Sequence, residues 1–209
     1  MRYLIDNFAL VALLFGEHLR LTAIALAIAL AIALPAGVLA ARVRWLRGPL
    51  LGVLGVIYTI PSLSLLVLLI PFMGIGLRPA IVALVAYAQL VLVRNIVVGL
   101  VGVDPAIVEA ARGMGMSSWQ RFSRVELPLA LPLILAGVRL ATLSIIGIGA
   151  VAFLVGAGGL GKLLFEGVTT SNPQKIVAGS VAVAALALIA NGLLRLIERR
   201  ASRAAGSSI

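Results

Sequence analysis

The chain has 209 residues, 62% of them hydrophobic and 11% charged, with a formal net charge of +10 and no cysteine. A soluble domain carries about 25% charged residues, so this deficit, with apolar runs of about 20 residues, places the chain in a bilayer. The missing cysteines exclude disulfides, thiolate metal sites and thiol catalysis. The basic residues lie mostly in short loops between apolar runs, which fits the positive-inside rule better than nucleic-acid binding.

In chain order, residues 4–16 are too short to span and read as an interfacial helix, within an outer interfacial segment 1–18. Arg2 is the lone basic residue ahead of this short apolar run, and Asp6 and Glu17 flank it, so the start makes a poor signal peptide. His18, the single histidine, sits beside Glu17 and Arg20 and reads as an exposed interfacial residue. Five spans follow at about 21–41, 49–73, 79–101, 131–155 and 176–197. With no water in the hydrocarbon they must be helices. Pro35 lies inside the first, and Pro61 predicts a kink or break in the second. The third carries Gln89, Arg94 and Asn95, and the fifth carries Asn191. Arg94 is expected to snorkel to the cytoplasmic surface. Arg139, in the fourth span, is expected to pair with a carbonyl or with Glu126. The tail 201–209 is small, polar and expected to fray. Residues 1–209 thus read as a single transmembrane domain.

Charge sets the orientation. Arg42, Arg44, Arg47, Arg112, Arg121, Arg124, Arg195, Arg199, Arg200 and Arg203 fall on one side, and Arg2, Arg20, Arg78, Lys162 and Lys175 on the other. The richer side is assigned to the cytoplasm, which puts the N-terminus outside and the C-terminus inside.

Segment 104–132 is then a polar cytoplasmic island. Asp104 before Pro105 is a helix start, an N-cap acceptor followed by proline at the first helical position. Gly113 and Gly115 suit the helix stop. Ser117 with Gln120 fits a capping box that opens a second short helix lying across the cytoplasmic face, and Pro128 and Pro132 mark the approach to the fourth span. Ala110 and Ala111 leave the first helix nearly flat, and Met114 and Met116 adapt to a groove. On pattern alone, a partner-docking surface and an amphipathic connection on the lipid surface remain equally open.

The residues Glu109-Ala110-Ala111, Gly115, Val125, Leu127 and Pro128 resemble the EAA loop of the membrane subunits of ABC importers, with Val125 where the family pattern has Ile. In that family the segment is a coupling helix that docks in a groove of the cytoplasmic ATPase. The resemblance implies that Glu109, Ala110, Ala111, Gly113, Gly115, Met116 and Ser117 carry this contact. It also implies a type I ABC importer permease fold, all-α with about five transmembrane helices, in which 104–128 is the cytoplasmic coupling loop. Leu21-Thr22, Ile60-Pro61-Ser62-Leu63, Gly74-Ile75-Gly76, Val93-Arg94-Asn95 and Gly156-Ala157-Gly158-Gly159-Leu160-Gly161 resemble the osmoprotectant branch, which carries glycine betaine, choline or carnitine. That resemblance implies ATP-binding ABC subunits, a second permease chain as homo- or heterodimer, and an extracellular or periplasmic solute-binding protein as partners. Membrane lipid surrounds the chain, and its place is the cell membrane, multi-pass.

Segment 156–161 also satisfies G-x-G-x-x-G, but a dinucleotide site needs a strand before it and a helix after it in a βαβ unit. Gly156, Gly158 and Gly159 are instead candidates for a gating turn near the outer mouth. Tyr58, Pro61, Ser62 and Tyr87 are the other path candidates; two span tyrosines make no tight cage for a quaternary ammonium. No nucleophile–base pair, metal-ligand spacing or G-x-x-x-x-G-K-[ST] is present, so the chain is read as non-catalytic, without metal or cofactor, and ATP as bound by the partner subunit. An ABC permease for an amino acid such as methionine, an ion-driven secondary transporter and a membrane scaffold are the alternatives.

Overall fold

A computed structural model describes residues 2–204, and among these every regular element is helical. The elements are α1 (Arg2–Asp6), α2 (Phe8–Arg42), α3 (Arg44–Thr59), α4 (Ser62–Met73), α5 (Leu77–Val101), α6 (Pro105–Gly113), α7 (Ser118–Arg121), a π turn (Phe122–Glu126), α8 (Leu127–Val151), α9 (Gly161–Thr169) and α10 (Pro173–Ala204). A short 3-10 turn, Ala152–Val155, closes α8. Four stretches are long and apolar enough to cross a membrane: Phe8–Arg42, Leu77–Val101, Ser118–Val155 and Pro173–Arg203. The second predicted span is broken: Arg44–Thr59 and Ser62–Met73 are bent by 94° and together make a fifth candidate span.

The break falls at Pro61, as its sequence predicts. Proline has no N–H to continue a helix and pushes the residue before it out of the α region; Ile60 is extended at φ −64°, ψ 128°.

The first span is longer than its sequence suggests. No helix boundary falls at residue 18: after the break at Asn7, α2 runs unbroken for 35 residues, or about 50 Å against a hydrocarbon core of about 30 Å. The reason is its buried stripe. Leu14, His18, Leu21, Thr22, Ala25, Ala29, Ala33, Gly37 and Ala40 follow one helical face, so packing against the bundle carries the helix back past residue 18. Of the tail, 201–204 continue α10, and 205–209 lie outside the described residues.

Helix α5 is the centre of the bundle and packs most extensively on α2 and α8. Small residues bring the backbones close, as membrane helices require when burial of apolar surface gives no drive. A Cβ at Gly37 would lie 2.7 Å from Ile96 Cγ2, and one at Gly137 would lie 2.5 Å from Asn95 Cβ. A second, smaller core joins the start of α2 to α8, α9 and α10 through Leu14, Ile146, Leu160, Leu163, Ala182 and Leu186.

Two expectations need correction. Arg139 does not meet Glu126. Thirteen residues apart on one helical run, the two stand about 20 Å apart along the axis; Arg139 Nε instead donates to Glu198 Oε2 at 2.8 Å, with Nη1 on Asn191 Oδ1 at 3.3 Å. The second short helix of the island is no separate element either. It is the four-residue α7, which passes through the π turn into α8. Pro128 lacks an N–H, and its ring crowds the preceding carbonyls, so the helix widens just before it and the Leu127 N–H reaches back to Phe122 O.

Gly137→Ala is expected to destabilise the bundle by about 1–3 kcal/mol through overpacking. Gly147→Ala, on the same helix with open space at its Cβ, is expected to leave the melting temperature in detergent unchanged.

Candidate functional site

The island 104–126 is built as its sequence predicts at both caps. Asp104 Oδ1 accepts from the Ala106 N–H at 2.8 Å, with Pro105 at the first helical position of α6. Ser117 and Gln120 exchange their bonds, at 2.8 and 3.3 Å, as a capping box on α7. Between them, Gly115 at φ +77° closes α6. The Met116 N–H returns to Ala111 O at 3.2 Å and the Gly115 N–H to Arg112 O at 2.9 Å, the paired bonds of a Schellman stop. Arg121 then ties the turn down through Met116 O at 2.9 Å and Ser118 Oγ at 3.1 Å.

Glu109, Ala110, Gly113, Gly115 and Ser117 all face outward on this element, and Met116 is half-buried. Ala111 differs: it is 2% exposed and faces its own chain, so the flat surface expected from the alanine pair comes from Ala110 alone. Met114 and Trp119 add exposed apolar area, at 75% and 72%. The Glu109–Arg112 pair, 3.6 Å apart and exposed at both ends, contributes little to holding the helix.

The path candidates form two groups. Tyr58, Pro61, Ser62 and Tyr87 meet at the broken span. The Tyr87 hydroxyl donates to Ile60 O, the carbonyl at the break, and the Tyr58 and Tyr87 rings meet edge to face with centroids 5.8 Å apart. Tyr87 is buried and Tyr58 is 42% exposed.

The second group, Gly156, Gly158 and Gly159, lies beyond α8 at the opposite end from the island. This turn is anchored. The Gly76 N–H donates to Val155 O at 2.7 Å, and the Gly159 N–H donates to Glu17 Oε2 at 3.0 Å. Gly159, at φ +78°, lies over His18, and a Cβ there would approach His18 Nδ1 to 3.1 Å.

His18 is therefore not an exposed interfacial residue. It is fully buried, its Nε2 is 3.1 Å from Ile146 O, and its Nδ1 has no partner among the described residues. It and Glu17 are the residues that sequence reasoning missed here. The signal was present in the spacing, since His18 falls in register with Leu14, Thr22 and Ala25 on the small, apolar stripe of α2. Arg94 is exposed. No group of three or more His, Cys, Asp or Glu among the described residues is arranged to hold a metal.

Residues 33–203 match the family described as the binding-protein-dependent transport system inner membrane component. The chain is 40% identical over 203 residues to the osmoprotectant import permease protein OsmW of Salmonella typhimurium, covering 95% of this chain and 94% of that protein. It is 39% identical to the glycine betaine/carnitine/choline transport system permease protein OpuCB of Bacillus subtilis, covering 88% and 85%. Among solved structures, an inward-facing conformation of the MetNI methionine ABC transporter aligns with TM-score 0.80 at 27% identity, covering 96% of this chain and 98% of that one.

Gly115→Ala should strain the island by about 1–2 kcal/mol, the cost of a left-handed conformation for an L-residue. The expected readout is faster amide exchange across 105–121. Gly113→Ala, at ordinary φ with open space around its Cβ, should leave that exchange unchanged.

Proposed function

This chain belongs to the family of binding-protein-dependent transport system inner membrane components, and is a multi-pass membrane protein with the fold of an ABC importer permease. From that premise we propose that it carries osmoprotectants of the glycine betaine, choline and carnitine class, in the direction of import. The observation that carries the mechanism is the island. It is a short helix capped at both ends and exposed along Glu109, Ala110, Gly113 and Gly115, a rigid, low-profile surface suited to a groove in another protein. ATP-binding subunits dock there, bind and hydrolyse ATP, and move the segment; the permease itself is non-catalytic and needs no cofactor. Ala110, Gly113, Gly115 and Ser117 are the contact surface in this reading, flanked by Glu109 and the half-buried Met116, while Ala111 acts from behind by seating the helix.

The end of the bundle that holds the island also holds Arg42, Arg44 and Arg47 and the C-terminal end of α10, which supports a cytoplasmic location for that end and an outer location for segment 156–161. A second permease chain, identical or related, completes the path, because α3 contributes no buried residue of its own and α4 contributes Leu66 alone. A solute delivered by a binding protein passes the broken span at Tyr58, Pro61, Ser62 and Tyr87, with Gly156, Gly158 and Gly159 as its outer gate. Two tyrosines offer few aromatic faces to a quaternary ammonium, so strong selection is assigned to the binding protein. A methionine permease is the second reading. The fold of the solved methionine transporter supports it, and the higher identity of the osmoprotectant relatives favours the first.

Ala110→Arg is expected to abolish co-purification of the ATP-binding subunits and solute uptake while leaving the permease folded; undiminished association would remove the docking surface from Ala110. Glycine betaine, choline or carnitine, and not methionine, is expected to raise the melting temperature of the partner binding protein; a rise with methionine alone would move the assignment to the second reading.

A further inference from the structure

The island is nearly self-contained in its polar contacts. Asp104 bonds Ala106, Glu109 meets Arg112, Ser117 pairs with Gln120, and Ser123 bonds Trp119. Among the described residues, one ion pair and no hydrogen bond joins 104–126 to another span: Arg42 Nη2 to Glu126 Oε2, at 2.6 Å. Glu126 is 6% exposed. The same guanidinium lies over the Phe122 ring, 5.3 Å from its centroid.

Phe122 opens the π turn and Glu126 ends it, so Arg42 grips both ends of the one widened turn between the island and α8. Arg42 is also the last residue of α2, and that helix end is itself fixed, since Arg47 donates to Ala40 O at 3.4 Å and Ala41 O at 3.2 Å. An unbraced π turn is a place where a helix bends. Apolar contacts beside it are non-directional and permit sliding, whereas a planar guanidinium stacked on a ring and paired with a carboxylate holds one geometry.

We propose that Arg42 and Glu126 are positioning residues that brace the π turn and pass displacement of α6 to the first and fourth spans together. This rests on the coupling reading above. Without the brace, the π turn absorbs the motion, and hydrolysis proceeds without matched transport.

The test uses the complete transporter, this permease with its ATP-binding subunits and binding protein, in proteoliposomes. Association, ATP hydrolysis and glycine betaine uptake are measured for wild type, Glu126→Gln, Arg42→Gln, Arg42→Lys and the swap Arg42→Glu with Glu126→Arg. Glu126→Gln keeps the shape and removes the charge. The single neutral variants are expected to assemble and hydrolyse ATP while solute moved per ATP falls by about tenfold, within the range of coupling factors between protein sites. Arg42→Lys is expected to fall between, and the swap to recover part of the loss. An unchanged ratio in the assembled neutral variants overturns the proposal. So does a wild-type ratio in Arg42→Lys if the neutral variants fail to fold, which would make the pair structural only. Failure of the wild-type chain to associate with any ATP-binding subunit overturns the coupling reading itself, and is read separately from the ratio.

Discussion

An apolar slab offers no water to a backbone amide or carbonyl, so wherever this chain leaves a regular helix it must supply the missing partner itself. At the broken span, Pro61 has no N–H to give, and the Ile60 carbonyl is taken by Tyr87. At the far end of α8, the turn at Gly156 folds its own bonds back to Ala152 and Phe153, and its neighbours are held by Gly76 and Glu17. At the near end, the helix widens before Pro128 and the Leu127 N–H finds Phe122 O. The island is closed by Asp104, Ser117, Gln120 and the glycine stop. Every candidate functional feature lies at one of these irregular points. Movement there would remake few bonds.

The regular parts form the frame against which those points move. Helices α2, α5 and α8 approach closely through Gly37, Gly137 and a run of alanines, so their mutual positions are set by tight packing. Two arginines of the frame are paired across elements. Arg139 holds α8 to α10 through Glu198 and Asn191, and Arg42 holds the end of α2 to the π turn. Helices α3 and α4 have few buried side chains of their own, and their exposed apolar residues Val53, Val56, Val67, Leu68 and Phe72 leave one wall of the bundle available to a second chain or to lipid.

The spans were legible because composition, run length and proline position act locally and strongly: Pro61 broke the helix where its chemistry requires. The island was legible for the same reason, since Asp104-Pro105 and Ser117–Gln120 are local capping chemistry. What escaped the sequence was long-range. His18 beside Glu17 and Arg20 looks interfacial until the stripe of α2 is followed past residue 18, and only the fold brings it to Ile146 and Gly159. The partner of Arg139 lies at Glu198, 59 residues away, beyond any helical spacing rule. Ala111 could not be told from Ala110 by type, because one residue of helical rotation decides which faces its own chain.

This chain is read as the membrane half of an ATP-driven machine. The most direct test of that reading is the native mass of the assembly purified from its own membranes by a tag on this chain. The expected complex contains ATP-binding subunits together with two permease chains, and the measured mass distinguishes two copies of this chain from one copy with a related partner. Recovery of this chain folded, at the mass of the permease alone and with no ATP-binding subunit in any preparation, would contradict that reading.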